Sequence, residues 1–437
     1  MSKERRIALK VPVLARVEGE GALDLLINEQ QSRPYIESLA LRIYEPPRYF
    51  EKLLEGRTVE ELPEMVARIC GICPVAYQMS ALQAVESLFE VELSPWVRQM
   101  RRLFYCGEWI QSHSLHIHLL AAPDFLGYEH AIAMAEAYPD EVRRGLSLQG
   151  LGNKIIALLG GRSVHPVGAR IGGFHHAPPP DEVATLLAEV NGAVVHAEAL
   201  LRWLVMLERP VEEQSFTSVA LREASSDYPM MGGEIISDRG LQLPVEQFES
   251  RFEELQRPHS TAFHAQLDGE PYLVGPLARM NLNFDRLLPP VSDLCATLGI
   301  HFPSRNMFDS LVARGVELLQ ALHEAALLLQ QYQQPERPWV DYSPKAGLAF
   351  AATCAPRGML WHRYEISSDG EIESANIVPP TSQNQARIEA DLKTSLTQFG
   401  LDQPAEAIKR HGEQVIRNYD PCISCATHFL DLRIRRS

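Results

Sequence analysis

Four of the chain's seven cysteines stand in two C-x-x-C pairs near its opposite ends, Cys70-Gly71-Ile72-Cys73 and Cys422-Ile423-Ser424-Cys425. If the pairs meet, the fold must bring together sulfurs separated by the 348 residues from position 74 to position 421. Thiolates are soft donors that select zinc, copper(I), nickel or iron–sulfur chemistry over magnesium and calcium. A local four-cysteine zinc ribbon spaces its pairs roughly 15–20 residues apart, which this chain does not. A thioredoxin-type exchange site needs one pair in a βαβ setting, and neither pair has that setting. Pro74 fits the first position of a helix following Cys73, so the helix dipole is expected to lower the Cys73 pKa. The second pair is flanked by Asp420 and His428 within nine residues. Cys106, Cys295 and Cys354 stand alone and read as buried, inert thiols.

The 437 residues carry a formal net charge of -15, which argues against nucleic-acid or anionic-membrane partners. The basic residues Arg433, Arg435 and Arg436 are too few to reverse that. No segment approaches the ~18–20 apolar residues of a membrane span, and Met1 to Lys10 has no apolar stretch of a secretory signal. An odd number of cysteines in a chain this large points to a reducing, cytoplasmic setting with thiolates kept for chemistry.

Residues 1–45 read as a small β-rich section, with strands expected at Val11 to Val17, Leu23 to Ile27 and Ile36 to Ile43. Helical periodicity follows at 75 to 92, 95 to 121, 141 to 159, 181 to 208, 244 to 257, 309 to 334 and 383 to 399, with Asp181 and Asp309 as expected N-caps. One late hairpin is expected, Met359 to Ile366 and Glu371 to Val378, because Asp369-Gly370 between alternating runs is a strong turn signal. That register sets Arg357 opposite Thr381 at the open end of the hairpin. Without repeats or low-complexity linkers, residues 1–437 are expected to form a single α+β, predominantly α-helical domain.

The ordered motifs resemble the large, catalytic subunit of nickel-iron hydrogenases over the whole chain. They are Arg16-Val17-Glu18-Gly19, Arg48-Tyr49-Phe50-Glu51, Arg68-Ile69-Cys70-Gly71-Ile72-Cys73, Gly160-Gly161-Arg162-Ser163-Val164-His165-Pro166, Ala355-Pro356-Arg357-Gly358 and Asp420-Pro421-Cys422 through His428. The stretch from Arg68 to Ala81 is more similar to the soluble NAD(P)-linked, sulfhydrogenase-type branch than to membrane-bound uptake enzymes.

The resemblance implies the fold of that large subunit and a Ni–Fe(CO)(CN)2 centre. Cys70 and Cys422 would be terminal nickel ligands, and Cys73 and Cys425 would bridge nickel to iron. The implied reaction is reversible heterolytic cleavage of H2, with Cys422 accepting the proton and Glu18 relaying it. Arg357, Pro380 and Thr381 would surround the cyanides, and Arg357 would also help polarise H2. Glu51, the Ile377 carbonyl and His428 would hold a second metal, Mg2+ or Fe2+. Two positions depart from the family pattern. Tyr77 stands where relatives carry a histidine near Cys73, and Cys354 replaces an acidic residue, so a salt bridge behind Arg357 is expected to be missing. His113, His116 and His118 are expected to pack or to serve a proton path rather than bind metal.

The chain has no further iron–sulfur motif, no glycine-rich dinucleotide fingerprint and no flavin signature. The resemblance therefore implies a small iron–sulfur subunit, flavin- and NAD(P)-binding diaphorase subunits and a maturation endopeptidase. That protease would remove the nine residues 429–437 after His428. Deazaflavin- or heterodisulfide-reductase-linked hydrogenases are the alternative within the family. A related quinone-reductase subunit without the cysteines and a zinc-binding scaffold are the alternatives outside it.

Overall fold

The computed structural model describes residues 6–29, 34–225 and 227–427. The N-terminal section is a three-stranded antiparallel sheet of Arg6–Val11, Gly21–Asn28 and Tyr35–Ile43. The first strand ends where the sequence pattern had one begin. Residues 12–20 form the connecting loop instead, and this loop carries Glu18. Alternation sets Leu9, Val11, Leu23, Leu25 and Leu41 on the buried side. They pack in one cluster with Leu392, Leu396, Ile408 and Val415 of the helices Pro380–Phe399 and Ala405–Tyr419.

The larger core is helical. The helices Pro74–Leu88, Pro95–Leu115, Pro139–Gly160, Pro180–Met206 and Ser310–Gln330 pack around it. Proline stands at the first or second position of the first four, where its missing N–H costs nothing. The Pro180–Met206 helix corrects one expectation, since by length and composition alone it could cross a membrane. Here it packs against Ser310–Gln330 and Pro139–Gly160, burying Leu200, Leu201 and Leu204. Its other face carries Glu189, paired with Lys154, and Glu198, paired with Arg202. Asp181 lies inside the first turn of this helix rather than at its cap, which is Pro179. Asp309 is the cap residue of Ser310–Gln330, yet its side chain makes no cap hydrogen bond. That carboxylate instead accepts the Ser304 hydroxyl and pairs with Arg209.

The strands Gly347–Ala355, Gly358–Ile366 and Ile372–Val378 form a second antiparallel sheet. The Asp369-Gly370 hairpin has the expected register, with His362 opposite Ile377 and Trp361 opposite Val378. The ladder stops there. Arg357 sits in the two-residue turn before the middle strand, and Thr381 opens the Pro380–Phe399 helix, so they do not face each other as strand partners. The expected helix at 244 to 257 is also absent. Val245–Ser250 is a short 3-10 helix, and Phe252–Gln256 is a strand paired with Phe263–Leu267.

Candidate metal centre

The two cysteine pairs meet. Cys70 Sγ lies 3.3 Å from Cys422 Sγ, Cys73 Sγ lies 3.5 Å from Cys425 Sγ, and Cys422 Sγ lies 2.7 Å from Cys425 Sγ. All four donor atoms fall within 4.8 Å of one another, and no cysteine of the four is more than 4 % exposed. A soft metal fits such a set, because unmetallated sulfurs at these distances must share protons. Hydrogen bonds from Cys422, Cys425 and Cys73 push the Cys70 pKa well down against burial, and the Ile72 and Cys73 amides also point at its sulfur. Cys73 moves the other way from the sequence expectation. The Cys422 thiol pulls its pKa down, but Cys425, Cys70 and burial push it well above the ordinary thiol range.

The helix dipole at Pro74–Leu88 is spent on another group. Glu108, fully buried, accepts the amide protons of Val75 at 2.6 Å and Ala76 at 3.1 Å, so a carboxylate from the Pro95–Leu115 helix caps the turn that follows Cys73. Burial pushes the Glu108 carboxyl well up, and the Cys70 charge adds to this. One turn on, Gln111 donates to the Ile72 carbonyl at 2.5 Å and fixes the loop between the first two cysteines. Nothing in the sequence marks Glu108 or Gln111, because their partners are set by helix packing.

The second cysteine pair is positioned by a left-handed residue. Asp420, at φ 56, ends the Ala405–Tyr419 helix and turns the chain inward; aspartate tolerates this conformation better than most residues. Arg357 holds it from two directions, donating to the Asp420 carbonyl at 2.8 Å and to its carboxylate at 3.0 Å, while Arg314 approaches the other oxygen at 3.4 Å. Burial pushes the Asp420 carboxyl up, but Arg357, His116 and Arg314 hold it below the usual range. Position 354 supplies no carboxylate to Arg357, as expected, and Asp420 is its ion-pair partner instead. Cys354 is buried and its thiol is pushed up to about 12 by burial, as suits an inert residue. Cys106 and Cys295 are also buried, with thiols pushed upward by burial.

Thr381 accepts the Cys422 amide at 3.0 Å, so its own hydroxyl hydrogen is left for another acceptor. Arg357 and Thr381 thus converge on one segment, Asp420 to Cys422, rather than across the hairpin. Gly358 makes that convergence possible. At φ 144, a Cβ there would lie 2.6 Å from Val274 Cγ2 and 3.0 Å from Pro380 Cβ. The Ser382 hydroxyl beside Thr381 is buried without a partner among the described residues.

Glu18 reaches the same segment from the N-terminal loop. Its carbonyl accepts the Ile423 amide and its carboxylate accepts the Ser424 amide, both at 3.0 Å. Burial raises its pKa, and the Cys70 charge raises it further. Arg48 donates to the carbonyls of Ile69 and Ser424, clamping the two cysteine segments together. Tyr77 is buried beside the cysteines; burial and then the charges of Cys425, Cys73 and Cys422 push its pKa well up.

Of the expected second metal set, Glu51 and Ile377 are adjacent, the Ile377 amide donating to Glu51 at 2.7 Å. His428 and the expected cleavable peptide 429–437 lie outside the described residues. The three neighbouring histidines do not form one site. His113 lies 2.9 Å from Glu317, His116 meets the Arg417 carbonyl, and His118 meets the Ser114 carbonyl. Burial pushes their pKa values down to about 4, about 3 and about 3, so all three are neutral near pH 7.

A family model described as "Nickel-dependent hydrogenase" matches residues 48–147 and 259–428. Sulfhydrogenase 1 subunit alpha of Pyrococcus furiosus is 30% identical over 433 residues, covering 98% of this chain and 100% of that protein. The NAD-reducing hydrogenase HoxS subunit beta of Cupriavidus necator is 24% identical over 476 residues, covering 97% of this chain and 95% of the relative. A crystal structure of an NAD+-reducing [NiFe]-hydrogenase in the H2-reduced state superposes with a TM-score of 0.87 at 27% identity, covering 97% of this chain and 99% of the other.

Proposed function

Because the chain belongs to the nickel-dependent hydrogenase family, as a catalytic large subunit acting on H2, we propose that it works in a cytoplasmic complex that couples H2 cleavage and evolution to NAD(P). The observation that carries this reading is the convergence of Cys70, Cys73, Cys422 and Cys425 into one buried thiolate set. The sulfurs of these four residues would hold a Ni–Fe(CO)(CN)2 group. When bound, that group supplies the Lewis-acidic, redox-active surface on which H2 is polarised.

The chain's own residues handle the proton and the positioning. Cys422 would receive the proton at its sulfur. Glu18, which accepts the Ile423 amide at its carbonyl and the Ser424 amide at its carboxylate and is raised in pKa by burial, would accept it next. Arg357 is locked to Asp420 and presents a fixed guanidinium, while Thr381 presents a hydroxyl and Pro380 an apolar wall for the cyanides. Glu51, the Ile377 carbonyl and His428 would hold the second metal, Mg2+ or Fe2+. Electrons would leave to a small iron–sulfur subunit and then to a flavin- and NAD(P)-binding module. The seven free thiols favour a reducing compartment.

Infrared spectra of the purified complex test the reading. Bands of metal-bound CO and cyanide, with one nickel per chain, are expected; their absence from a nickel-replete sample overturns it. Mass spectrometry of the active enzyme is expected to show a chain ending at His428, the peptide Phe429 to Ser437 having been removed by a maturation endopeptidase. Full activity in a chain that retains the peptide rejects that part.

A further inference from the structure

A second set of metal-type donors lies apart from the cysteines and from Glu51. His264 stands on the Phe263–Leu267 strand, His259 in the turn before it, and Glu389 on the Pro380–Phe399 helix. Glu389 Oε1 lies 2.8 Å from His259 Nε2, and Glu389 Oε2 lies 3.4 Å from His264 Nε2. The three donor atoms fall within 4.8 Å of one another. The imidazole rings stand 5.4 Å apart at 84°, so they approach the carboxylate from two directions.

An ordinary hydrogen-bonded network explains part of this. Glu389 Oε1 accepts the Leu41 amide at 2.9 Å and meets His259, which joins the N-terminal sheet to the helix. It does not explain His264. That side chain is 2 % exposed, and among the described residues its Nδ1 has no partner while its Nε2 faces only Glu389 Oε2, at a long 3.4 Å. A buried polar group left unpaired costs about 1–3 kcal/mol, so such groups ordinarily have a partner. Among the described residues no lysine or arginine pairs with Glu389, so the carboxylate charge is answered by the two imidazoles and the Leu41 amide.

We propose that His259, His264 and Glu389 bind a divalent transition-metal cation, with Zn2+ the best-suited ion. Two imidazoles and a carboxylate are the three-ligand set of an open zinc site, the fourth position going to water. The site has a solvent side for that water, since the His259 and Glu389 side chains are 31% and 20% exposed. The orphaned nitrogen of His264 would gain its partner. The ion would pin the Phe252–Leu267 hairpin to the helix whose first turn carries Thr381.

The test uses the purified nickel-loaded protein, so that the cysteines are already occupied. After chelator treatment and dialysis, Zn2+ is added and bound metal is counted, with thermal melts run in parallel. The wild type is expected to take up about one further equivalent of zinc and to melt at a higher temperature with it. His264→Gln and the half-exposed His259→Gln are each expected to lose that equivalent and the zinc-dependent shift. Infrared bands of the nickel-iron centre report whether each variant is folded. Zinc uptake by folded variants equal to that of the wild type overturns the proposal, as does no uptake by the wild type.

Discussion

Glu18 grips one segment twice, through its carbonyl to Ile423 and its carboxylate to Ser424, and so stands next to Cys422. Glutamine keeps the shape and removes the proton-accepting oxygen. Glu18→Gln is expected to lower H2/D2O exchange by about 10²–10⁴-fold, the usual contribution of a positioned acid–base group, with the infrared bands of the centre unchanged. Exchange at the wild-type rate would remove Glu18 from the relay. Below Arg357 lies a second buried pair. Glu317 accepts two bonds from Arg279, at 2.6 and 2.7 Å, and Arg279 donates onward to the carbonyls of Ala355 and Pro356, the turn that aims Arg357. Burial pushes the Glu317 carboxyl up, but Arg279 and His113 overcome it and hold the pKa at about 2, against 4.5 ordinarily. A depressed carboxylate stabilises the fold fully above its unfolded pKa and loses that contribution as pH falls through the folded one. Glu317→Gln leaves Arg279 buried and uncompensated, a loss of about 3–5 kcal/mol near pH 7. The gap between wild type and variant in denaturant melts is expected to narrow only as pH falls from about 4.5 towards about 2.

At the scale of elements, two glycines decide how close the helices Pro95–Leu115 and Pro139–Gly160 come. A Cβ on Gly152 would lie 2.5 Å from the Gln111 amide nitrogen and 2.6 Å from the Gly107 carbonyl oxygen, both backbone atoms that cannot swing aside. Gly152→Ala is therefore expected to push the helices apart at a cost of about 1–3 kcal/mol. Gln111 also holds the Ile72 carbonyl, so the shift reaches the loop between the first two cysteines. Reduced nickel content at wild-type expression is the readout, and full metal loading would show that the loop is held independently. Such crossings were invisible in the sequence, whereas the Asp369-Gly370 hairpin was legible to the register because its signal is local. The 244 to 257 stretch shows why local signals fail. Val245, Phe248, Phe252 and Leu255 recur at helical spacing, yet Phe248 stacks on Phe252 at 4.4 Å and on Trp361 at 4.7 Å, and pairing with Phe263–Leu267 draws the second half into a strand. The Ala405–Tyr419 helix escaped notice because its buried face includes His411, Arg417 and Asn418. At the site, the cysteine pattern was legible, and Asp420 was seen as a neighbour of Cys422. Its role as the carboxylate of Arg357 was not, because that pairing joins a helix end to a turn 63 residues away.

For the whole molecule, the question is where electrons leave a centre whose sulfurs are nearly sealed. The wall is thin at one place. Gly71, between the buried Cys70 and Cys73, is exposed, and a Cβ there would lie 3.9 Å from Val164 Cγ1. Val164 is 51 % exposed, in a loop held rigid by two contacts. His165, in the left-handed region at φ 48, meets the Ala67 carbonyl at 2.8 Å, and Arg162 donates to the His165 carbonyl at 2.7 Å. An apolar side chain fixed beside the exposed Gly71 suits a partner that must bring an electron acceptor close to the cysteines. Val164→Asp would bury a charge without a counter-ion on docking. Association with the proposed iron–sulfur subunit is expected to weaken at least about tenfold, equivalent to about 1.4 kcal/mol, measured by titration of the purified subunits. Nickel content and the infrared bands should stay as in the wild type, because Val164 is no ligand and its side chain already faces solvent. H2-dependent reduction of NAD(P)+ should fall with association and recover as the partner concentration is raised. If the variant binds as tightly as the wild type, the exit face lies elsewhere, and the thin wall at Gly71 is a feature of packing alone.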